Sequence, residues 1–161
     1  MTIRDAHPHE LSADRFIVSD DPARLDFDVI HAFLSTCYWS PGIPRDLVER
    51  AAANSLCFGV YRLAADPAAA RPQVGYARMI TDKATFAYLA DVFIIEAFRG
   101  RGLSKLLMRA VVSHPDLRGL RRMMLLTRDA HGLYSQFGFT PMARPDRAME
   151  KHVPDAYAPR P

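Results

Sequence analysis

Along this chain the spacing of apolar residues changes period several times, and each change marks an element. Phe16 to Val18 form a short apolar run closed by Asp20-Asp21-Pro22, which predicts a first strand and a turn. Ile30, Phe33, Leu34 and Cys37 then recur at helical spacing, with Asp26 placed to cap that helix. The segment Cys37 to Pro44 breaks the pattern. Pro44 suits the first position of a second helix, whose apolar face is Leu47, Val48, Ala51 and Ala52. From Leu56 the period shortens to that of strands. Cys57 to Leu63 and Gln73 to Ile80 read as strands joined by a turn over Ala64 to Pro72. The turn Thr81-Asp82-Lys83 leads into a third, Thr85 to Ile95, so the three form an antiparallel meander.

Leu103, Leu106, Leu107, Ala110 and Val111 restore the helical stripe, which His114-Pro115 ends. Met123 to Thr127 is an apolar run of strand length. Asp129 is placed to cap a short helix carrying Ala130, Leu133, Tyr134 and Phe137, which Gly138 ends. Phe139 to Met142 begins another extended segment, and a further one follows near Ala148 to His152. Residues 1–14 read as a polar leader, 15–152 as one domain and 153–161 as a tail.

The 161 residues suit a single domain with its own core. At 49% hydrophobic and 24% charged the composition is that of an ordinary globular chain. The net charge of +3 suits a small anionic ligand and falls short of a nucleic-acid-binding face. Arg118, Arg121 and Arg122 flank a strand as a solvated patch, so no nucleic-acid partner is expected. Cys37 and Cys57 form no CxxC pair, and neither a disulfide framework nor a metal site is implied. His7 and His9 lack a further ligand nearby and belong to the polar leader. The N-terminus has no apolar core of a signal peptide, and no apolar run approaches membrane length. The expected location is cytoplasmic, with no membrane partner.

The chemistry concentrates between the third meander strand and the next helix. There Arg99-Gly100-Arg101-Gly102-Leu103-Ser104-Lys105 forms a glycine-rich strand-to-helix turn. Glycines let the backbone approach a ligand closely, and the first helical turn offers unpaired N–H groups at the positive end of the dipole. Three cationic side chains add to this, so the pattern asks for a phosphorylated ligand. A Walker loop is excluded, because Gly102-Leu-Ser-Lys lacks its order. A dinucleotide fingerprint is excluded because Lys105 stands where its third glycine belongs.

Arg99-x-x-Gly102-x-Ser104 closely resembles the Arg/Gln-x-x-Gly-x-Gly/Ala signature of the GNAT family of acyl-CoA N-acyltransferases, with Ser104 in place of a Gly or Ala. A second stretch, Thr127 to Phe139, resembles the family's Asn-x-x-Ala-x-x-x-Tyr-x-x-x-Gly-Phe segment through Ala130, Tyr134, Gly138 and Phe139. Thr127 departs from the usual Asn. The order β-α-α-β-β-β-α-β-α-β is also that of the GNAT fold, so the resemblance covers most of the chain. It implies an α/β (α+β) domain with a mixed central sheet of about six or seven strands flanked by about four helices.

The resemblance also implies roles. The cosubstrate is acetyl-CoA, with its diphosphate on the loop Arg99, Gly100, Arg101, Gly102, Leu103, Ser104 and Lys105, and no metal. A strand bulge leaves backbone groups of Val92, Phe93 and Ile94 to bond the pantetheine arm and the thioester carbonyl. Thr127 and Ala130 flank the same arm. Tyr134 protonates the departing thiolate, a task suited to a phenol with an ordinary pKa near 10.

Asp91, an acid in a strand otherwise almost wholly apolar, must be hydrogen-bonded or face a cavity. It is the candidate base for an ammonium acceptor; the alternative is an acid that anchors the bulge. His131 is the rival base or a substrate contact. Tyr38 and Trp39, in the break between the first two helices, are candidates to line the acceptor pocket, with core packing as the alternative. The expected activity is transfer of an acetyl group to a primary amine of a small molecule or peptide, by direct attack in a ternary complex. A catalytically silent acyl-CoA-binding or sensor module is the alternative. A homodimer is compatible with the sequence, which encodes neither the oligomeric state nor the identity of the amine.

Overall fold

The computed structural model describes residues 9–64, 66 and 70–157. Its centre is a six-stranded sheet in which every strand lies beside its neighbours in sequence. The strands are β1 (Glu10–Ala13), β2 (Phe16–Ser19), β3 (Leu56–Arg62), β4 (Gln73–Thr81), β5 (Phe86–Ile94) and β6 (Arg122–Met124). The first five are antiparallel, and β6 joins β5 in parallel. The parallel pair requires a crossover, which the helix α3 (Leu103–Ser113) supplies. Three further helices complete the domain: α1 (Phe27–Leu34), α2 (Arg45–Ala53) and α4 (His131–Tyr134). The mixed sheet flanked by four helices is the expected fold class.

Two apolar cores lie on the two faces of the sheet. α3 buries Leu103, Leu106, Leu107, Met108, Ala110 and Val111 against β-strand residues such as Phe58, Val60, Ala77 and Met79. Each large side chain buried there contributes about 1.5–3 kcal/mol. On the opposite face Ile30 and Leu34 of α1 and Val48 and Ala52 of α2 pack with Cys57, Tyr76 and Phe93. Asp26 caps α1 as expected, its carboxylate accepting from the amides of Asp28 and Val29. The β4–β5 hairpin is held by Asp82, which accepts from the amides of Ala84, Thr85 and Phe86 and from the Thr85 hydroxyl. Those bonds hold the Asp82 carboxyl below the usual carboxylate range.

β5 carries the feature that shapes the site. Up to Ala90 it runs in one register with β4, Arg78 facing Ala90; beyond it, Tyr76 faces Phe93. One extra residue is therefore inserted in β5 opposite Ala77, a bulge at Asp91–Val92. Asp91 adopts φ 55°, in the left-handed region, which Asp tolerates better than most residues. Because side chains alternate with period two, the insertion reverses the phase of the strand. Ala87 and Leu89 face the α3 core, yet after the bulge it is Ile94 that does so, while Phe93 joins the α1–α2 core.

Several elements differ from the expectations. The segment read as a polar leader through Asp14 contains β1, paired with β2 along its whole length; residues 1–8, His7 among them, lie outside the described residues. Within the expected Ala64 to Pro72 turn, residues 65 and 67–69 also lie outside them, as do 158–161 of the tail. β6 is three residues long, not the five of Met123 to Thr127. It stops because β5 turns away at its bulge and leaves Leu125 to Thr127 without a strand to pair with. The extended segments expected at Phe139 to Met142 and Ala148 to His152 form no strand; Pro145 opens a short 3-10 turn there instead. Pro141 and Pro145 remove backbone donors that a ladder would need. Asp129 does not cap α4: Ala130 occupies the cap position, and its amide is bonded by the Thr127 hydroxyl instead.

Gly75 of β4 shows how closely the strands approach beside the bulge. A Cβ added there would lie 2.9 Å from the Phe93 carbonyl oxygen and 2.5 Å from the Ile94 Cδ1. Gly75→Ala is expected to destabilise the fold by about 1–3 kcal/mol, the usual cost of overpacking a rigid site. A denaturant titration with an unchanged m-value would measure it.

Candidate active site

Where β5 and β6 part, a cleft of about 1110 Å³ passes between them. Pairing of the two strands ends at Tyr88 and Met124. Beyond that point Ala90 to Ile94 form one wall, and Thr127, Ala130 and Tyr134 form the other. One end reaches the N-terminus of α3. The other reaches Phe33, Cys37, Tyr38 and Trp39 at the end of α1 and the connection to α2. The cleft thus joins the two faces of the sheet.

At the α3 end, Arg99, Gly100, Gly102, Leu103 and Ser104 line the cleft. Gly100 and Gly102 have φ 76° and 74°, and a Cβ at either would meet nothing within 4 Å. These glycines serve backbone conformation and leave open space above the turn. Gly102 is the N-cap of α3 and makes no side-chain capping bond, so the first amides of the helix are uncapped donors. The eleven-residue helix adds its dipole. Arg99 is drawn inward, its Nε donating to the Ile94 carbonyl at 3.1 Å, so it braces the end of β5 against the loop. Arg101 and Lys105, also expected at the diphosphate, are exposed and stand outside the cleft lining. Arg101 instead lies 5.7 Å from the centre of the Phe98 ring.

Tyr134 is buried among apolar neighbours and edge-on to Phe139. Among the described residues its hydroxyl has no hydrogen-bond partner, and it is not among the sealed unpaired atoms, so it is open to the cleft. Burial, chiefly, with smaller contributions from Tyr38 and Asp129, pushes its pKa above the ordinary tyrosine value. The phenol therefore stays protonated through neutral and moderately alkaline pH. Thr127, in place of the expected Asn, lines the cleft and uses its oxygen to accept from the Ala130 amide at 3.0 Å. That bond fixes the entry to α4, while the hydroxyl proton remains a donor.

The bulge turns Asp91 toward the α1–α2 face. Its Oδ2 accepts from Arg78 Nε at 2.7 Å, and its Oδ1 accepts from Trp39 Nε1 at 3.2 Å. Both members of the Arg78–Asp91 pair are largely buried. Arg78 is further held by donating to the Ser55 hydroxyl. Tyr38 and Trp39 are half-exposed and line the cleft, so they are not core residues. The guanidinium of Arg128 sits 3.8 Å from the centre of the Tyr38 ring and links the α1–α2 connection to the loop after β6. Phe33 stacks on Phe93 at 3.9 Å and fixes the base of this wall. His131 is exposed and outside the cleft lining, so the structure does not bring it to the site.

Sequence reasoning missed Arg78 and Arg128. The signal for Arg78 was present: a buried acid in an apolar strand needs a cationic partner, and Arg78 is a lone charge in the preceding strand. Finding the pair required the register, which the bulge shifts. Arg128 carries no such signal, because its partner is an aromatic ring ninety positions upstream.

Comparison with known proteins agrees with this geometry. The model of the acetyltransferase (GNAT) family matches residues 27–139. A Gibberella zeae protein named as a candidate acetyltransferase is 36% identical over 146 residues, spanning 80% of this chain and 81% of its own. A crystal structure of a candidate GNAT-family acetyltransferase from Xanthomonas campestris is 49% identical, with a TM-score of 0.83 over 92% of this chain and 100% of that one. The fold also matches a predicted acetyltransferase from Clostridium acetobutylicum solved with acetyl-CoA, at 13% identity, a TM-score of 0.57, and 85% of this chain against 94% of that one. The chain belongs to the GNAT acetyltransferase family.

Gly102→Val places a β-branched residue at φ 74° and fills the open space above the turn. Acetyl-CoA is expected to raise the melting temperature of the parent protein by mass action and to lose that effect in the variant. Thermal unfolding with and without acetyl-CoA measures both; a stable variant that still gains the full shift would move the diphosphate site elsewhere.

Proposed function

We propose that the protein is an N-acetyltransferase that moves the acetyl group of acetyl-CoA to a primary amine by direct attack in a ternary complex. The observation that carries this reading is the single cleft. It holds an uncapped helix N-terminus at one end, a bulged strand edge along its middle and an unbonded tyrosine hydroxyl on the facing wall. The family match supports acetyl transfer; the amine acceptor and the ternary order go beyond it.

The residues present suit the cosubstrate. The open turn at Gly100 and Gly102, with the amides beginning α3, would receive the diphosphate. The strand edge at Val92 to Ile94 would bond the pantetheine amides and the thioester oxygen. Asp91 would hold the incoming ammonium group and take its proton, using Oδ1, whose present bond from Trp39 is the longer of its two. The freed amine forms an N–C bond to the thioester carbon as the C–S bond breaks. Tyr134 gives its proton to the departing sulfur, and the proton lost from the nitrogen as the amide forms restores the phenol through solvent.

Two substitutions divide these roles, with activity read as CoA release over a panel of amines. Tyr134→Phe keeps the ring packing and is expected to lower kcat about 100-fold, near the lower end for general acids because a thiolate leaves readily. A loss confined to KM would instead assign the hydroxyl to binding. Asp91→Asn removes the proton acceptor while keeping a residue that tolerates the left-handed backbone. Its loss in rate is expected to shrink as pH rises, because an amine already neutral needs no base. A loss of equal size at every pH would make Asp91 a positioning residue only.

A further inference from the structure

A second cavity, of about 550 Å³, lies between α2 and β4 on the α1–α2 face of the sheet. Its size is that of a small-molecule site. Two residues line both this cavity and the catalytic cleft: Trp39 and Asp91. The hydrogen bond from Trp39 Nε1 to Asp91 Oδ1 is therefore the partition between them. The body of the cavity is apolar, with Leu47, Val48 and Ala51 of α2 facing the Tyr76 ring of β4. Its rim carries Arg50 of α2 and Asn54, the residue that caps the C-terminus of that helix one turn further on. Arg50 has no ion-pair or hydrogen-bond partner for its guanidinium among the described residues, whereas Arg45 of the same helix is paired with both Asp28 and Glu49. The cavity thus has at its inner end the Asp91 carboxylate, with Oδ2 held by Arg78, which also lines the cavity, and Oδ1 held only by Trp39; an apolar middle; and an unpaired guanidinium at its outer end.

We infer that this cavity is the acceptor site and that it selects amines bearing an anionic group, carboxylate or phosphate, separated from the amine by an apolar stretch. The inference rests on the transferase reading above for the identity of the inner end. The ammonium group displaces Trp39 from Asp91 Oδ1 and so opens the partition toward the cleft. The anion is held by Arg50, with the Asn54 side-chain amide, which already donates to the Arg50 carbonyl, fixing the turn that presents it. A guanidinium binds carboxylate and phosphate through paired donors, so both anions fit. Polyamines fit poorly, because their far end would meet Arg50 as a like charge.

The test compares ω-amino carboxylates, aminoalkyl phosphates, alkylamines of matched length and diamines as acceptors at saturating acetyl-CoA, in the parent protein and in Arg50→Gln. One or both anionic classes are expected to exceed the alkylamines in kcat/KM by about tenfold, and Arg50→Gln to erase that ratio, as loss of one charge-assisted bond at a solvated rim requires. The anionic class that prevails identifies the group Arg50 holds. Equal rates for anionic and neutral amines, or a preference that survives Arg50→Gln, would overturn the inference and leave the transferase reading standing. Should no amine release CoA, calorimetry on the CoA-loaded protein decides. Binding of the anionic amines that Arg50→Gln abolishes upholds the cavity assignment while the transfer reading falls; the absence of such binding overturns the assignment as well.

Discussion

One inserted residue in β5 governs the rest of the site. The bulge opposite Ala77 reverses the strand's inside–outside phase, so that Asp91 faces α1 and α2 when the pattern of Ala87 and Leu89 would have sent an odd-numbered residue into the α3 core. A carboxylate in that core would have carried a desolvation cost with no partner to offset it. On the face it occupies, Arg78 and Trp39 satisfy both oxygens. The same bend draws β5 away from β6, shortens the parallel pair to three residues and opens the cleft. A gap in a sheet is costly because it leaves backbone donors and acceptors unpaired. Here those groups line a cavity wide enough for a ligand or water to satisfy them.

The two ends of the cleft differ in how they are built. At the α3 end the positive field is collective, from the uncapped amides and the helix dipole. Arg101 and Lys105 stay in solvent, where screening weakens them, and Arg99 spends its Nε proton on the Ile94 carbonyl. At the α1–α2 end the contacts are individual and directional: an indole bonded to a carboxylate, a guanidinium over a phenol ring, stacked phenylalanines. The α3 end therefore rests on backbone geometry. The α1–α2 end rests on side chains that can change without disturbing the fold.

The Trp39–Asp91 bond stands at the α1–α2 end. It ties a half-exposed aromatic on a connection between helices to the bulge of the central sheet. Its 3.2 Å length and partial exposure make it an exchangeable contact, in contrast to the Arg78–Asp91 pair beside it, which is shorter and more buried. Asp91 therefore has one fixed partner and one replaceable partner. That asymmetry lets a single carboxylate brace β4 and β5 through Arg78 while its other oxygen keeps an exchangeable contact.

The amino-acid sequence by itself determined the meander, the α3 crossover, the uncapped glycine turn and the tyrosine on the short fourth helix. These are local: period, capping and turn chemistry act over a few residues, and the Gly100 to Ser104 turn and Tyr134 sit where their neighbours place them. The bulge was only implied by family resemblance, and its consequences were not legible at all. Whether Asp91 faces one core or the other depends on a one-residue offset against Ala77, a pairing between strands that no window along the chain contains. The pairing of Glu10–Ala13 with β2 turned a polar segment into an edge strand, because backbone bonding there outweighs a sequence with little apolar content. The prolines after Phe139 had the opposite effect and denied the sheet a seventh strand. Tertiary structure alone decided that Arg78 meets Asp91, that Arg128 meets Tyr38, and that His131, near in sequence to Tyr134, points out of the site. Each of these depends on the positions of distant segments, and those are set by burial of the two cores together and not by any residue's own preference.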